Sequence, residues 1–219
     1  MKKNLTELVF ILDRSGSMSG LEQDTIGGYN SVLAQQKQEE GEAFVSTVLF
    51  DHETYVLHDR VDIQQVQLLT EADYSPRGST ALLDAIGGAI HHIGNVHKYS
   101  RIDEVPEHTM FVIITDGMEN TSRIYSLDHV KRMIELEQTK YGWEFIFLGA
   151  NMDAVKVAGQ YGIHRNRAVN YYNDSLGYES AYRSINNAAS DMRHNRDLDD
   201  DSWRSDVDND YRGRGGRYR

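Results

Sequence analysis

The chain has 219 residues, enough for one α/β domain with a tail and too few for two full domains. Its 34 acidic and 23 basic residues give a formal charge of −11, which argues against a binder of duplex nucleic acid with a basic face. It has no cysteine, so disulfides, thiolate metal sites and cysteine nucleophiles are excluded, in keeping with a reducing compartment. The start, Met1-Lys2-Lys3, leads into an apolar run too short for a signal-peptide core, and no stretch reaches the roughly eighteen apolar residues that span a bilayer. A cytoplasmic protein without a membrane partner is expected.

Leu8–Leu12 is a continuous apolar run, the pattern of a strand covered on both faces, and Asp13 ends it. Leu21, Ile26, Tyr29, Val32 and Leu33 give a helical face that stops near Gly41. Ala43–Phe50 and Thr54–Leu57 read as strands joined by a tight turn at Asp51-His52-Glu53, a hairpin at one sheet edge. Residues 61–69 form an irregular connection. From Thr80, apolar residues recur at three- and four-residue steps from Leu82 to Val96, a clear helix. Thr109–Ile114 is a strand and Leu127–Tyr141 a helix with Val130, Met133, Ile134 and Leu136 inward. Trp143–Leu148, Asp153–Tyr161, Ala168–Tyr172 and a final helix through Tyr178–Met192 complete a strand–helix alternation. That alternation predicts an α/β fold with a doubly wound, mainly parallel, Rossmann-like sheet, one antiparallel edge strand and helices on both faces.

In such sheets, ligands bind beyond the carboxyl ends of strands, where strand order reverses. Asp13, Ser15 and Ser17 follow one strand, Ser79-Thr80 opens a helix after Gly78, and Asp116 follows another strand. All of these side chains offer oxygen alone, which suits Mg²⁺, Mn²⁺ or Ca²⁺ rather than softer ions. Taken singly, the Asp13–Ser17 stretch reads as a capping loop, Thr80 as a helix N-cap and Asp116 as a turn aspartate before Gly117. Their conjunction favours a divalent-cation site, which requires the strands ending at Asp13 and Asp116 to be neighbours.

Asp13-x-Ser15-x-Ser17, Gly78-Ser79-Thr80 and Thr115-Asp116-Gly117 together resemble the metal-ion-dependent adhesion site of von Willebrand factor A (vWA) domains, over about residues 1–195. The Asp-x-Ser-Gly-Ser-Met form is similar to intracellular bacterial or phage-borne vWA proteins, among them those associated with tellurium resistance and stress response. The resemblance implies that Ser15, Ser17 and Thr80 hold the ion directly, with Asp13 and Asp116 acting through water. Ser79, Gly117 and Glu119 would line the rim. Neutral hydroxyls leave the ion electrophilic, so a Glu or Asp of a partner protein would complete it, and no enzymatic role is implied. The alternatives are a metal-dependent phosphoester hydrolase, for which no general base recommends itself, and RNA association through the Arg-Gly tail.

Residues 196–219 carry seven aspartates and then Arg212-Gly213-Arg214-Gly215-Gly216-Arg217-Tyr218-Arg219, with little apolar content. Such a composition predicts disorder.

Overall fold

The computed structural model describes residues 1–218 and contains one six-stranded sheet. Its strands are β1 (Lys2–Asp13), β2 (Glu42–Phe50), β3 (Thr54–Asp62), β4 (Pro106–Thr115), β5 (Glu144–Ala150) and β6 (Ala168–Tyr171). Their order is β3-β2-β1-β4-β5-β6, parallel throughout except for the β2–β3 hairpin at one edge. This is the doubly wound arrangement expected from the alternation of elements, with the chain reversing direction across the sheet at β1.

The helices are α1 (Glu22–Gln36), α2 (Leu82–Tyr99), α3 (Leu127–Tyr141), α4 (Ala154–Gln160), α5 (Ser175–Arg193) and α6 (Ser205–Gly213). Because side chains alternate along a strand, β1 serves two cores. Leu8, Phe10 and Leu12 pack with α1 and α5, while Val9 and Ile11 pack with α2, α3 and α4. Val130 and Ile134 of α3 are buried as expected, but Leu136 is about half exposed, because the helix turns only a narrow stripe toward the sheet.

The expectation of disorder beyond residue 196 is corrected. Leu198, Trp203 and Val207 are buried in the same core as α5, and α6 packs against α5 and β6. Three apolar side chains suffice because the charges around them pair with one another. Arg204, itself buried, holds Asp208 through two hydrogen bonds, and Arg212 reaches the same carboxylate. Arg214 grips Asp174, the residue that caps α5. Composition counted those charges as solvated, whereas helical i,i+4 spacing let them neutralise one another. Of the stretch that read as disordered, Arg219 lies outside the described residues.

Candidate metal site

Strand register builds the first half of the site. Leu12 stands opposite Ile114, so the residues that follow, Asp13 and Thr115, emerge together at the carboxyl ends of neighbouring strands. The Thr115 hydroxyl donates to Asp13 Oδ2 at 2.6 Å, and the Ser15 backbone N–H donates to Asp13 Oδ1 at 2.7 Å. Tyr74 donates its hydroxyl to the Asp13 backbone carbonyl from beneath. Both carboxylate oxygens are thus oriented before any ion arrives.

The remaining oxygens converge on the same place. Ser15 Oγ lies 3.1 Å from Ser17 Oγ, and Ser17 Oγ donates to Asp116 Oδ1 at 2.5 Å. The other Asp116 oxygen accepts from Asn173 Nδ2 at 3.1 Å. Gly117 shows the convergence directly. The point where a side chain would begin there lies 3.0 Å from Thr80 Oγ1, 3.4 Å from Ser17 Oγ and 3.8 Å from Asp13 Oδ2. Three chain segments therefore aim oxygen at one small cradle that stays open because residue 117 has no Cβ. A Gly117→Ala substitution puts a methyl group into that cradle, and calorimetric titration should show magnesium affinity falling at least about tenfold while the circular dichroism of the fold is unchanged.

Thr80 is not the cap of α2. The carboxylate of Glu119 accepts the backbone N–H of Leu83 at 2.9 Å, and the Thr80 backbone N–H goes to Asn120 Oδ1 at 3.0 Å. Glu119 also accepts from the Thr121 and Ser122 backbone N–H groups and from the Ser122 hydroxyl, so its oxygens are engaged in fastening the loop to α2 rather than free on the rim. Ser79 donates its hydroxyl to Thr121 Oγ1 at 3.0 Å and ties the same two segments together. Of the three rim residues expected, only Gly117 borders the oxygens directly. Ser15 likewise makes no side-chain capping bond to the short 3₁₀ turn that follows it.

Two contributors were missed by sequence reasoning: Thr115 and Asn173. Thr115 precedes Asp116 directly, and its place at a strand end was the available signal. Asn173 lies in a loop some 57 positions from its partner, with nothing local to mark it.

Burial sets the electrostatics. Asp13 is 1% exposed, and burial pushes its carboxyl up to about 6 against the lowering effect of its hydrogen bonds. Asp116 is raised as well, for the same first reason. A group whose folded pKa exceeds its unfolded value favours the native state when protonated, so stability is gained as pH falls through 6 and lost as it rises. The metal-free protein should therefore gain about 2–3 kcal/mol from Asp13 between pH 7.5 and pH 4. Urea denaturation at both pH values checks this, with Asp13→Asn lacking that increment.

Two close carboxylates among neutral hydroxyls are what a hard divalent ion would relieve, so the residues present fit such an ion. Among the described residues there is no group of three or more His, Cys, Asp or Glu side chains placed to hold a metal, so the donor set here rests on hydroxyls. His92 pairs with Asp59, and His97 stacks edge-on to Trp143, both away from this cradle.

This architecture is the vWA fold. Proximal thread matrix protein 1 from the mussel byssus, solved with zinc in its metal-ion-dependent adhesion site motif, superposes at a TM-score of 0.60 with 15% identity, covering 87% of this chain and 47% of that one. BatB from Bacteroides thetaiotaomicron gives 0.53 and 15%, covering 86% and 99%. The vWF domain of the pilus tip protein Mfa5 from Porphyromonas gingivalis gives 0.56 and 10%, covering 83% and 95%. The chain spans about half the length of the mussel protein. No family model and no curated protein matches the sequence. Among the described residues no helix is long and apolar enough to cross a membrane.

Proposed function

We propose that this chain is a divalent-metal-dependent protein-interaction module, not an enzyme, that captures an acidic residue of a partner protein. The observation that carries this reading is the cradle at Gly117, where Thr80, Ser17 and Asp13 oxygens meet. Ser15, Ser17 and Thr80 would hold the ion directly, and Asp13 and Asp116 would offset its charge, in part through water. Mg²⁺ is the favoured ion, with Mn²⁺ or Ca²⁺ able to replace it. Zinc at the corresponding motif of the mussel structure supports a divalent ion at this place in the fold. When bound, the ion supplies a positive centre for a carboxylate from outside the chain.

The chain's own residues prepare that step. Thr115 and the Ser15 N–H hold Asp13, and Asn173 holds Asp116, so neither carboxylate has to reorient. The cysteine-free composition and the Asp13-Arg14-Ser15-Gly16-Ser17-Met18 form support a cytoplasmic setting of the kind seen in tellurium-resistance-associated vWA proteins.

The test is affinity capture from native cells. Partner retention should be lost in EDTA, return with Mg²⁺ or Mn²⁺, and be absent with Asp116→Ala. Full retention in EDTA removes the bridging role of the ion.

A further inference from the structure

Two of the three metal-site segments carry an arginine, and one buried carboxylate collects both. Asp13 stands opposite Phe50, so Arg14 and Asp51 emerge side by side. Asp51 is fully buried, and its Oδ2 lies 3.0 Å from Arg14 Nε and 2.9 Å from Arg77 Nε. Its Oδ1 lies 2.9 Å from His52 Nδ1 and accepts the Glu53 N–H. Burial opposes the charge on Asp51, but the Arg77 hydrogen bond, the Glu53 N–H and the two guanidinium charges together hold its carboxyl below the ordinary value.

The backbone welds this cluster to the metal loops. The Arg77 N–H donates to the Arg14 carbonyl at 2.8 Å, Gly16 N–H to Gly78 O at 3.2 Å and Ala81 N–H to Asp51 O at 2.7 Å. Gly78 has a left-handed φ of 66°, and a side chain there would strike the His52 ring.

The two arginines differ in what they can do. Arg14 is buried, lies 5.6 Å from the Tyr55 ring centroid, and its Nε makes no well-aligned hydrogen bond. Arg77 has a side chain 54% exposed and stands three positions before Thr80 on the same segment. One aspartate cannot neutralise two guanidinium groups. Among the described residues Arg77 has one further acidic neighbour, Glu53, 69% exposed and 3.7 Å away, a loose surface pair of small energetic weight. Arg77 therefore keeps an exposed guanidinium on a chain whose net charge is −11.

We propose that Arg77 forms a second anion subsite, so that the module selects a partner segment with two carboxylates, one for the ion and one for the Arg77 guanidinium. This rests on the metal-bridging reading above and specifies its ligand. A planar guanidinium presents parallel donors that match a carboxylate, and its Nε edge is already held by Asp51, which fixes its direction. A monoacidic segment would use the ion alone.

The probes are acetate and a series of linear dicarboxylates from succinate to suberate, titrated into the Mg²⁺-loaded protein and followed by NMR shifts of the Gly117 and Gly78 amides. At least one dicarboxylate should bind about tenfold tighter than acetate. Arg77→Ala should remove that gain while leaving acetate and Mg²⁺ affinity unchanged, and Arg77→Lys should keep part of it. Glu53→Gln, an exposed change that frees Arg77 from competition, should tighten the dicarboxylate further, and it serves as the test should Arg77→Ala not fold. If acetate binds and no dicarboxylate exceeds it, the second subsite is overturned and the metal bridge stands. If acetate binds only without Mg²⁺, or Mg²⁺ itself does not bind, both readings fail.

Discussion

Magnesium at a hundred times its dissociation constant should stabilise the wild-type chain by about 2.7 kcal/mol, and Asp13→Asn should show no such response. For a chain of this size that is a rise of roughly 5–10 °C in Tm, readable by scanning fluorimetry with and without chelator. The contrast is sharp because the variant keeps the shape of the side chain and removes only the charge. In the metal-free state the same substitution removes a desolvated carboxylate beside Asp116, so Asp13→Asn without metal should be no less stable than wild type near pH 7.5. Thr80→Ala should also abolish the metal response while leaving the fold intact, since Glu119 and not Thr80 caps α2. A metal-induced rise in Tm that survives both substitutions would place the ion elsewhere.

The second large effect lies at the other end of the chain. Trp203→Ala should cost about 3–5 kcal/mol, the expected loss for a large aromatic side chain removed from a packed core. Against a total stability of about 5–15 kcal/mol this is severe, with Tm lower by about 6–20 °C. Trp203→Phe should cost far less, under about 1.5 kcal/mol, because the Trp203 Nε1–H is buried without a hydrogen-bond partner among the described residues and its removal relieves that burden. A disordered tail would leave both variants at wild-type stability in chemical denaturation, which makes the pair a test of whether α6 belongs to the folded unit.

The sheet was legible because its signal is redundant. Each central strand is an uninterrupted apolar run, and helices with three- and four-residue spacing lie between them, so a mainly parallel, doubly wound sheet follows from general rules. The convergence of oxygens was legible where it coincided with element ends: Asp13, Asp116 and Thr80 stand where strands stop or a helix begins. What stayed hidden depended on long-range closure. Asn173 reaches Asp116 across the fold, and Asp51 gathers Arg14 and Arg77 from separate loops, with no local pattern to announce either. Glu119 misled because an exposed-looking acid after a strand resembles a rim ligand, whereas its carboxylate is taken up by four donors of its own neighbourhood. The tail misled for the opposite reason, since three apolar residues among many charges look negligible until the charges pair.

The loop from Gly117 to Tyr125 carries one more consequence. Glu119 fastens its first half to α2, and Asp84 accepts the backbone N–H groups of Arg123, Ile124 and Tyr125 in its second half. The conformational freedom of this segment is thus surrendered during folding and not at the moment of encounter. On the proposed function, an arriving protein would give up only its own mobility. Association should then proceed at the ordinary rate for rigid surfaces, about 10⁵–10⁷ M⁻¹s⁻¹, and the lifetime of the complex, set by the ion and its ligands, should govern how tightly it holds.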